Sequence, residues 1–509
     1  MGEAGWTWTY DALPYTSRAN PRTHPDLLAT LATVCGLTPA PPATARVLEV
    51  GCADGGNLLS LAYVLPEARL VGIDASARQI EAGRATVATL GVSNLDLRVA
   101  DLMTLGDEVG TFDYILAHGV YSWVAPAVQE RLLAVCRERL APHGVAYVSY
   151  NVQPGWHVRS TVREMMLYHT RRYTDPREKT AHARGLLEFL AETVPAANDA
   201  YRVVIQRTRV ELDKLDDAHF FHDMLEESNR PLYFHEFLHR LEPAGLRYLA
   251  DAEYWTTQLA TVPGRVAAVI DKLAATPLER EQYLDFWRNR GFRQSVVCRA
   301  DAPAGAPAVD PARFLLASSL APAPREPDDP PETERFVSPH GLVLATDHDV
   351  VKAGLRALGE IYPAAMSFAE LLDVACARLG RTAAAEADSH ALADTLRSCF
   401  ATDLAELRTL PARFVATIGE RPEASALARH QARTGRRISS LLHRTVDMDD
   451  PVALLILRHL DGRHDRAALA ARVHSAVDAG DTALEDGETP EAAVARHLAR
   501  LASHALLVS

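Results

Sequence analysis

The sequence predicts a doubly wound α/β domain of seven strands, interrupted by helical insertions and followed by small α+β modules of winged-helix type. Two observations predict it. From residue 46 onward, short and nearly continuous apolar runs alternate with helically spaced stretches, the pattern of a parallel sheet covered on both faces. The first run also opens into a turn containing Gly51, Gly55 and Gly56, and a helix follows. Right-handed crossovers then put the ligand-binding edge at the strand C-termini.

The elements follow in order. Arg46–Gly51, Arg69–Asp74, Leu95–Asp101, Phe112–Ala117 and Gly144–Tyr150 read as five strands, rich in Val, Leu and Ile. Asn57–Leu65, Ala77–Leu90 and Pro126–Leu140 carry helical spacing between them. Residues 156–229 break the alternation and read as a helical insertion leaving the ligand-binding edge. A helix at Pro231–Glu242, closed by Gly245, leads to a sixth strand at Leu246–Tyr254. A second helical excursion over Arg265–Asn289 precedes a seventh strand at Phe292–Arg299, so residues 1–300 read as one domain.

Residues 301–333 are dense in Pro and Ala and read as a linker, with room for a short strand at Arg313–Leu320. A middle domain over 334–429 starts with a hairpin turning at His340-Gly341, then helices at Asp349–Leu358, Ser367–Leu379 and Asp388–Phe400. Residues 430–509 form the last, winged-helix-like module, with helices at Val452–Leu460, Arg466–Val477 and Pro490–Ser503.

Composition narrows the function classes. The 509 residues carry 66 acidic and 53 basic side chains, a net charge of -13, which weighs against broad nucleic-acid binding. A 48% hydrophobic content excludes global disorder. Six scattered cysteines, with no C-x-x-C pair, fit a reducing compartment. The N-terminus lacks a basic and an apolar region of secretory type, and Met1-Gly2 is followed by Trp6 where myristoylation needs Ser or Thr. No apolar run reaches the roughly 18 residues that span a bilayer. The chain reads as cytoplasmic, without membrane insertion.

The chemistry concentrates at three strand ends. Glu49 lies two residues before Gly51; Asp74 closes the second strand; Asp101, followed by Leu102, closes the third. Gly51, Ala53 and Gly56 also fit a loose dinucleotide fingerprint. Taken together, LEVGCADGGN, GIDAS and VADL resemble the glycine, ribose and adenine motifs of class I S-adenosylmethionine-dependent methyltransferases. That resemblance implies a Rossmann-like core whose seventh strand is antiparallel. It also implies S-adenosylmethionine as cofactor, at Glu49, Gly51, Ala53, Gly55, Asn57, Asp74, Ala75, Asp101, Leu102 and His118. Glu49 would face the ammonium of its amino-acid end, a group nicotinamide lacks.

A narrower resemblance rests on YDALPYTSRANPRTHPDLLATLA, AHGVYSWV, SYNVQPGW and YLDFWRNRGFRQSVVC. These are similar to bacterial methyltransferases with a methyltransferase regulatory region, a family that includes lysine methyltransferases acting on outer-membrane proteins. The resemblance implies a polypeptide acceptor, a lysine amine first; a small-molecule N- or O-methyltransferase and a non-catalytic cofactor sensor are the alternatives. Within this frame His118 and Tyr121, after the fourth strand, are expected to take the acceptor's proton. Tyr15, on an N-terminal arm with Tyr10, Arg18 and His24, is expected to contact the cofactor as that arm folds over it, and counts with His118 and Tyr121 as a catalytic candidate. Trp123, Asn151 and Trp156 are expected to line the acceptor's path. His222 and Glu226, four apart on one helix face of the insertion, are expected to grip the acceptor, and the same insertion is a candidate homodimer contact. Removal of 334–509 is expected to spare cofactor binding and weaken acceptor capture. No metal site is expected: His235-Glu236-Phe237-Leu238-His239 matches H-E-x-x-H but falls in the helix before the sixth strand. The arginines between Arg429 and Arg444 read as a solvated face, so no nucleic-acid partner is expected.

Overall fold

The computed structural model describes residues 9–415 and 417–508; Met1, Gly2 and Trp6 lie outside the described residues. One sheet organises the first 300 residues. Its strands are β1 (Arg46–Val50), β2 (Arg69–Asp74), β3 (Leu95–Val99), β4 (Phe112–Ala117), β5 (Leu140–Asn151), β6 (Leu246–Asp251) and β7 (Phe292–Arg299), in the order β3-β2-β1-β4-β5-β7-β6. The first five pair in parallel, while β7 runs antiparallel to both β5 and β6, as expected. The strand order reverses between β1 and β4, which opens a crevice at their C-terminal ends.

Helices cover both faces: α1 (Pro25–Val34), α2 (Gly56–Val64) and α3 (Ala77–Leu90), then α4 (Pro126–Arg139). Residue alternation along the strands sorts the side chains into two cores. Leu28, Leu61, Val47, Tyr114 and Tyr147 pack on one side; Leu48, Ile115, Leu132 and Val148 pack on the other. The insertion comprises α5 (Gly155–Thr170), α6 (Pro176–Thr193), α7 (Asp199–Leu212) and α8 (Asp217–Met224), which enclose a core of their own around Val162, Met166, Leu187, Ile205 and Phe220. Leu13 of the N-terminal arm belongs to that core. α9 (Phe234–Leu241), α10 (Gly264–Leu273) and α11 (Pro277–Arg288) flank β6 and β7 in sequence.

The 301–333 segment departs from the expected linker. Gly305 and Ala308 donate their backbone N–H groups to the carbonyls of Gly36 (2.7 Å) and Val34 (2.9 Å). Beyond them β8 (Leu315–Ala317) is the central strand of a three-stranded sheet, and β9 (Ala321–Ala323) edges a second one. The reason is the apolar run inside the Pro-rich composition: Leu316 and Leu320 are fully buried, and burying such a side chain contributes roughly 1.5–3 kcal/mol. The hairpin β10 (Glu334–Val337) and β11 (Val343–Thr346) turns around Gly341 at φ 80°, as the sequence predicts. β12 (Met366–Ser367) and β13 (Glu406–Arg408) complete the β8 sheet, against α12 (Asp349–Ile361), α13 (Phe368–Arg378) and α14 (Glu386–Ala401). Leu358, Leu371 and Leu392 of these helices join the same hydrophobic core as Leu28 and Leu61. The middle region is therefore packed into the sheet domain rather than tethered to it.

The last unit contains α15 (Ala426–Thr434), the hairpin β14 (Arg437–Ser439) and β15 (Thr445–Asp447), then α16 (Pro451–Arg458), α17 (Arg466–Asp478) and α18 (Pro490–Ser503). Its core already includes Ala424 and Ala428, so packing begins ahead of residue 430. Among the described residues, no helix is long and apolar enough to cross a membrane.

Candidate active site

The turn after β1 needs left-handed backbone: Gly51 has φ 70° and Gly55 φ 75°, and Ala53 is held at φ 52°. The hold comes from β2, where Asp74 accepts the N–H of Ala53 through one oxygen and that of Ser76 through the other, each at 2.9 Å. A Cβ on Gly56 would lie 2.1 Å from the Ser17 carbonyl oxygen, because the N-terminal arm crosses the turn there. Ser17 donates its N–H to Asp54 (3.1 Å) and its hydroxyl oxygen accepts the N–H of Asn57 (3.1 Å).

Beneath the arm lies a cavity of about 630 Å³, lined by Tyr15 to Pro21, Glu49, Gly51, Ala53, Asn57, His118 and His219, together with Arg437, Arg444, Thr445 and Asp447 of the last unit. This is the size range of small-molecule sites. Glu49 is its main electrostatic feature. Its Oε1 accepts from Asn57 Nδ2 at 2.9 Å, while Oε2 is buried without a partner. Burial pushes the carboxyl up to about 8, against the lowering effect of Asn57. A buried carboxylate oxygen left unpaired is costly, so the site is suited to a cationic ligand group. The amino-acid ammonium of S-adenosylmethionine is such a group. Asn57 also binds the arm, accepting the N–H of Asn20 at 3.0 Å. Across the cavity, burial alone lowers His118 to about 4 and keeps its imidazole neutral.

Asp216, capping α8, ties the rim together. It accepts from Arg18 of the arm (2.9 Å) and Arg437 of the last unit (3.3 Å), and its other oxygen meets His219 Nδ1 at 2.6 Å. Thr445 donates its hydroxyl to the Ala19 carbonyl at 2.9 Å. Three separate parts of the chain thus converge on one opening.

The expected residues divide accordingly. Glu49, Gly51, Ala53, Asn57, His118 and Tyr15 line the cavity, with the Tyr15 ring tilted at 45° against His219 and the ring centres 4.4 Å apart. Gly55 and Asp74 shape the turn, Ala75 follows Asp74, and Asp101 with buried Leu102 follows β3 on the same edge of the sheet. Tyr121 stands elsewhere. A short 3₁₀ turn over Tyr121–Trp123 points it into the opposite core, where its ring packs edge-on to Tyr150 and Phe237 and its hydroxyl accepts from Arg240 at 3.3 Å. Trp123 and Trp156 pack against one another with ring centres 6.1 Å apart. Asn151 donates to Asn229 at 2.9 Å. None of these four is among the residues lining the cavity.

His222 and Glu226 do form a pair, at 2.8 Å, but the arm occupies it. The Leu13 carbonyl accepts from His222 Nε2 at 2.7 Å, the Tyr10 ring stacks on His222, and Thr9 donates to Glu226. The pair anchors the arm rather than an acceptor. The H-E-x-x-H motif is likewise engaged in packing: His235 meets Gln282 at 2.9 Å and Glu236 caps the Tyr233 N–H.

The fold, the glycine turn and the cationic-ligand site define a class I, S-adenosylmethionine-dependent methyltransferase. Residues 47–144 match the family described as "Methyltransferase domain", 216–299 "Predicted methyltransferase regulatory domain" and 420–507 "PKMT, C-terminal winged helix domain". The protein RP789 of Rickettsia prowazekii is 31% identical over 489 residues, spanning 93% of this chain and 87% of that protein, and this chain belongs to its family. RP028 of the same organism is 34% identical over 47% of this chain and 96% of its own length. Among solved structures, PKMT2 from Rickettsia typhi superposes with a TM-score of 0.86 at 27% identity, covering 97% of this chain and all of that one, and it is also known in complex with AdoHcy.

Proposed function

We propose that this enzyme transfers the methyl group of S-adenosylmethionine to a lysine amine of a polypeptide. The full-length likeness to PKMT2 carries the reading, since the insertion, the middle region and the winged-helix unit are all shared. The cofactor supplies an electrophilic methyl on a sulfonium, and the chain supplies position and dryness. Glu49 and Asn57 hold the amino-acid end, Asp74 fixes the turn, and the arm roofs the cavity from Tyr15 to Pro21. The supported site set is Glu49, Gly51, Ala53, Asn57, Asp74 and Asp101 for the cofactor, with Tyr15 and His118 beside the acceptor.

The same reading places the enzyme in the cytoplasm, which six free thiols support. It gives nucleic acid no role, which the net charge of -13 supports, and Arg437 and Arg444 of the basic run pair within the chain with Asp447 and Glu406. A homodimer contact through the insertion is supported by exposed apolar side chains on three of its helices, Tyr168 on α5, Phe189 on α6 and Val210 on α7. Methyl-labelled cofactor, incubated with bacterial protein fractions and followed by peptide mass spectrometry, tests the function. Label on lysine supports it; label only on small molecules moves the enzyme to another acceptor class.

A further inference from the structure

His118 is among the residues lining the cavity, and its ring also meets a short hydrogen-bonded row inside the sheet. Its Nδ1 lies 2.9 Å from the Tyr147 hydroxyl on β5, and that hydroxyl donates to Gln294 Oε1 on β7 at 2.7 Å. Tyr147 is fully buried and Gln294 is 6% exposed, so the row lies almost wholly inside the protein. Gln294 is itself held by its backbone N–H, which donates to Asp251 at 3.2 Å. A phenol has one proton. With that proton directed at Gln294, the Tyr147 oxygen is left to accept, from His118 and from its further neighbours Ser149 and Asn20, so Nδ1 carries the imidazole hydrogen.

The remaining neighbour agrees. The Asn20 amide nitrogen is 3.3 Å from both ring nitrogens, hence on the plane bisecting them and off the lone-pair axis of each. Phe292 approaches the ring edge-on at 6.1 Å and offers no polar atom. We infer that Tyr147 and Gln294 lock His118 as the Nδ1–H tautomer, so that its Nε2 lone pair faces the cavity and positions the acceptor amine by taking one of its N–H groups. The inference rests on the amine reading above.

The role is positioning rather than proton removal. Burial holds His118 near 4, far below a lysine amine at about 10.4, so it is too weak a base to strip an ammonium. The amine arrives neutral, its proton already lost to water. Its lone pair forms the N–C bond as the C–S bond breaks and that electron pair stays on sulfur. The new ammonium donates to Nε2 until it returns a proton to solvent.

The test uses the full chain labelled with ¹⁵N-histidine and long-range ¹⁵N–¹H correlation spectra, with His118 assigned by difference from His118→Gln. The wild type should show the Nδ1–H pattern at neutral pH. Gln294→Leu frees the phenol proton to point at Nδ1, and should switch His118 to Nε2–H. Its kcat should fall about tenfold, one hydrogen bond's worth, with unchanged affinity for S-adenosylhomocysteine. Tyr147→Phe provides a second variant, expected to give a mixture of tautomers. An Nε2–H or imidazolium His118 in the wild type overturns the inference, as does a Gln294→Leu tautomer that stays put. A correct tautomer without any methylated amine overturns the acceptor reading and the amine half of this inference with it; a wrong tautomer overturns this inference alone.

Discussion

The His443 imidazole and the Ser60 hydroxyl meet at 2.9 Å, both buried, although 383 positions separate them. His443 lies in the loop between β14 and β15, and its other nitrogen is 3.4 Å from the Thr23 hydroxyl. Burial keeps this imidazole well below its ordinary range, so it stays neutral at its seat on α2. The winged-helix unit is thereby keyed into the methyltransferase domain and forms a wall of the cavity that Glu49 lines.

Removing residues 420–508 should therefore impair cofactor binding, contrary to the expectation for a separable recruiting module. The deletion takes Arg437, Arg444, Thr445 and Asp447 from the cavity wall. Calorimetry should show S-adenosylhomocysteine affinity at least about tenfold weaker, the loss of one or two hydrogen bonds. The milder His443→Ala should cost about 1–3 kcal/mol in urea denaturation, since it strands the Ser60 hydroxyl.

Glu49→Gln separates binding from stability. Without the carboxylate, affinity for S-adenosylhomocysteine should fall by about 1.5–3 kcal/mol, the worth of a hydrogen bond to a charged group. The ligand-free protein should respond in the opposite sense. Glu49 has its folded pKa raised to about 8, so the folded state binds more protons than the unfolded one between the ordinary carboxylate range and that value. Wild-type stability should decline as pH rises through this window. In Glu49→Gln the decline should flatten, measured as thermal midpoint against pH.

Asp216→Asn should loosen the rim. Hydrogen bonding from His219, followed by Arg18, holds the Asp216 carboxyl below its ordinary range. Its contribution is therefore present above the usual carboxylate pKa and lost in acid. The side chain is 46% exposed, and pairs this open to solvent are worth less than about 1 kcal/mol. Stopped-flow measurements should show cofactor release accelerated by less than about fivefold, with the fold intact.

Tyr121→Phe should leave turnover within about twofold of wild type. Its hydroxyl serves Arg240 on the far side of the sheet, so the cost should appear in denaturation, at about 1 kcal/mol. Tyr15→Ala, at the cavity, should instead lower turnover.

What the sequence made legible was local. Glu49, Gly51, Asp74 and Asp101 lie at strand ends, where periodicity alone places them on one edge. Tyr121 defeated the reading because the 3₁₀ turn after β4 rotates it away by a backbone detail that side-chain pattern does not encode. His222 and Glu226 were legible as a pair, but their partner is the Leu13 carbonyl, a group with no sequence signature. Arg437 was legible only as part of a solvated basic run, and Thr445 and Asp447 gave no signal, since their place in the cavity wall arises only from tertiary packing. The 301–333 segment was misread because its prolines outweighed the short run around Leu316.

The arm's tethering has a consequence for how the molecule is made. Asp26 accepts the backbone N–H of Thr409, Thr23 meets His443 and Ala19 accepts from Thr445, with 383, 420 and 426 positions between the partners. On a ribosome these earliest residues emerge long before their partners, at about 5–20 residues per second. The β1–β5 strands can pair meanwhile, because their contacts are nearer in sequence. The contacts that hold the roof therefore close late, so a nascent chain halted before residue 437 can hold its β1–β5 strands without the cavity wall that Arg437, Arg444, Thr445 and Asp447 supply.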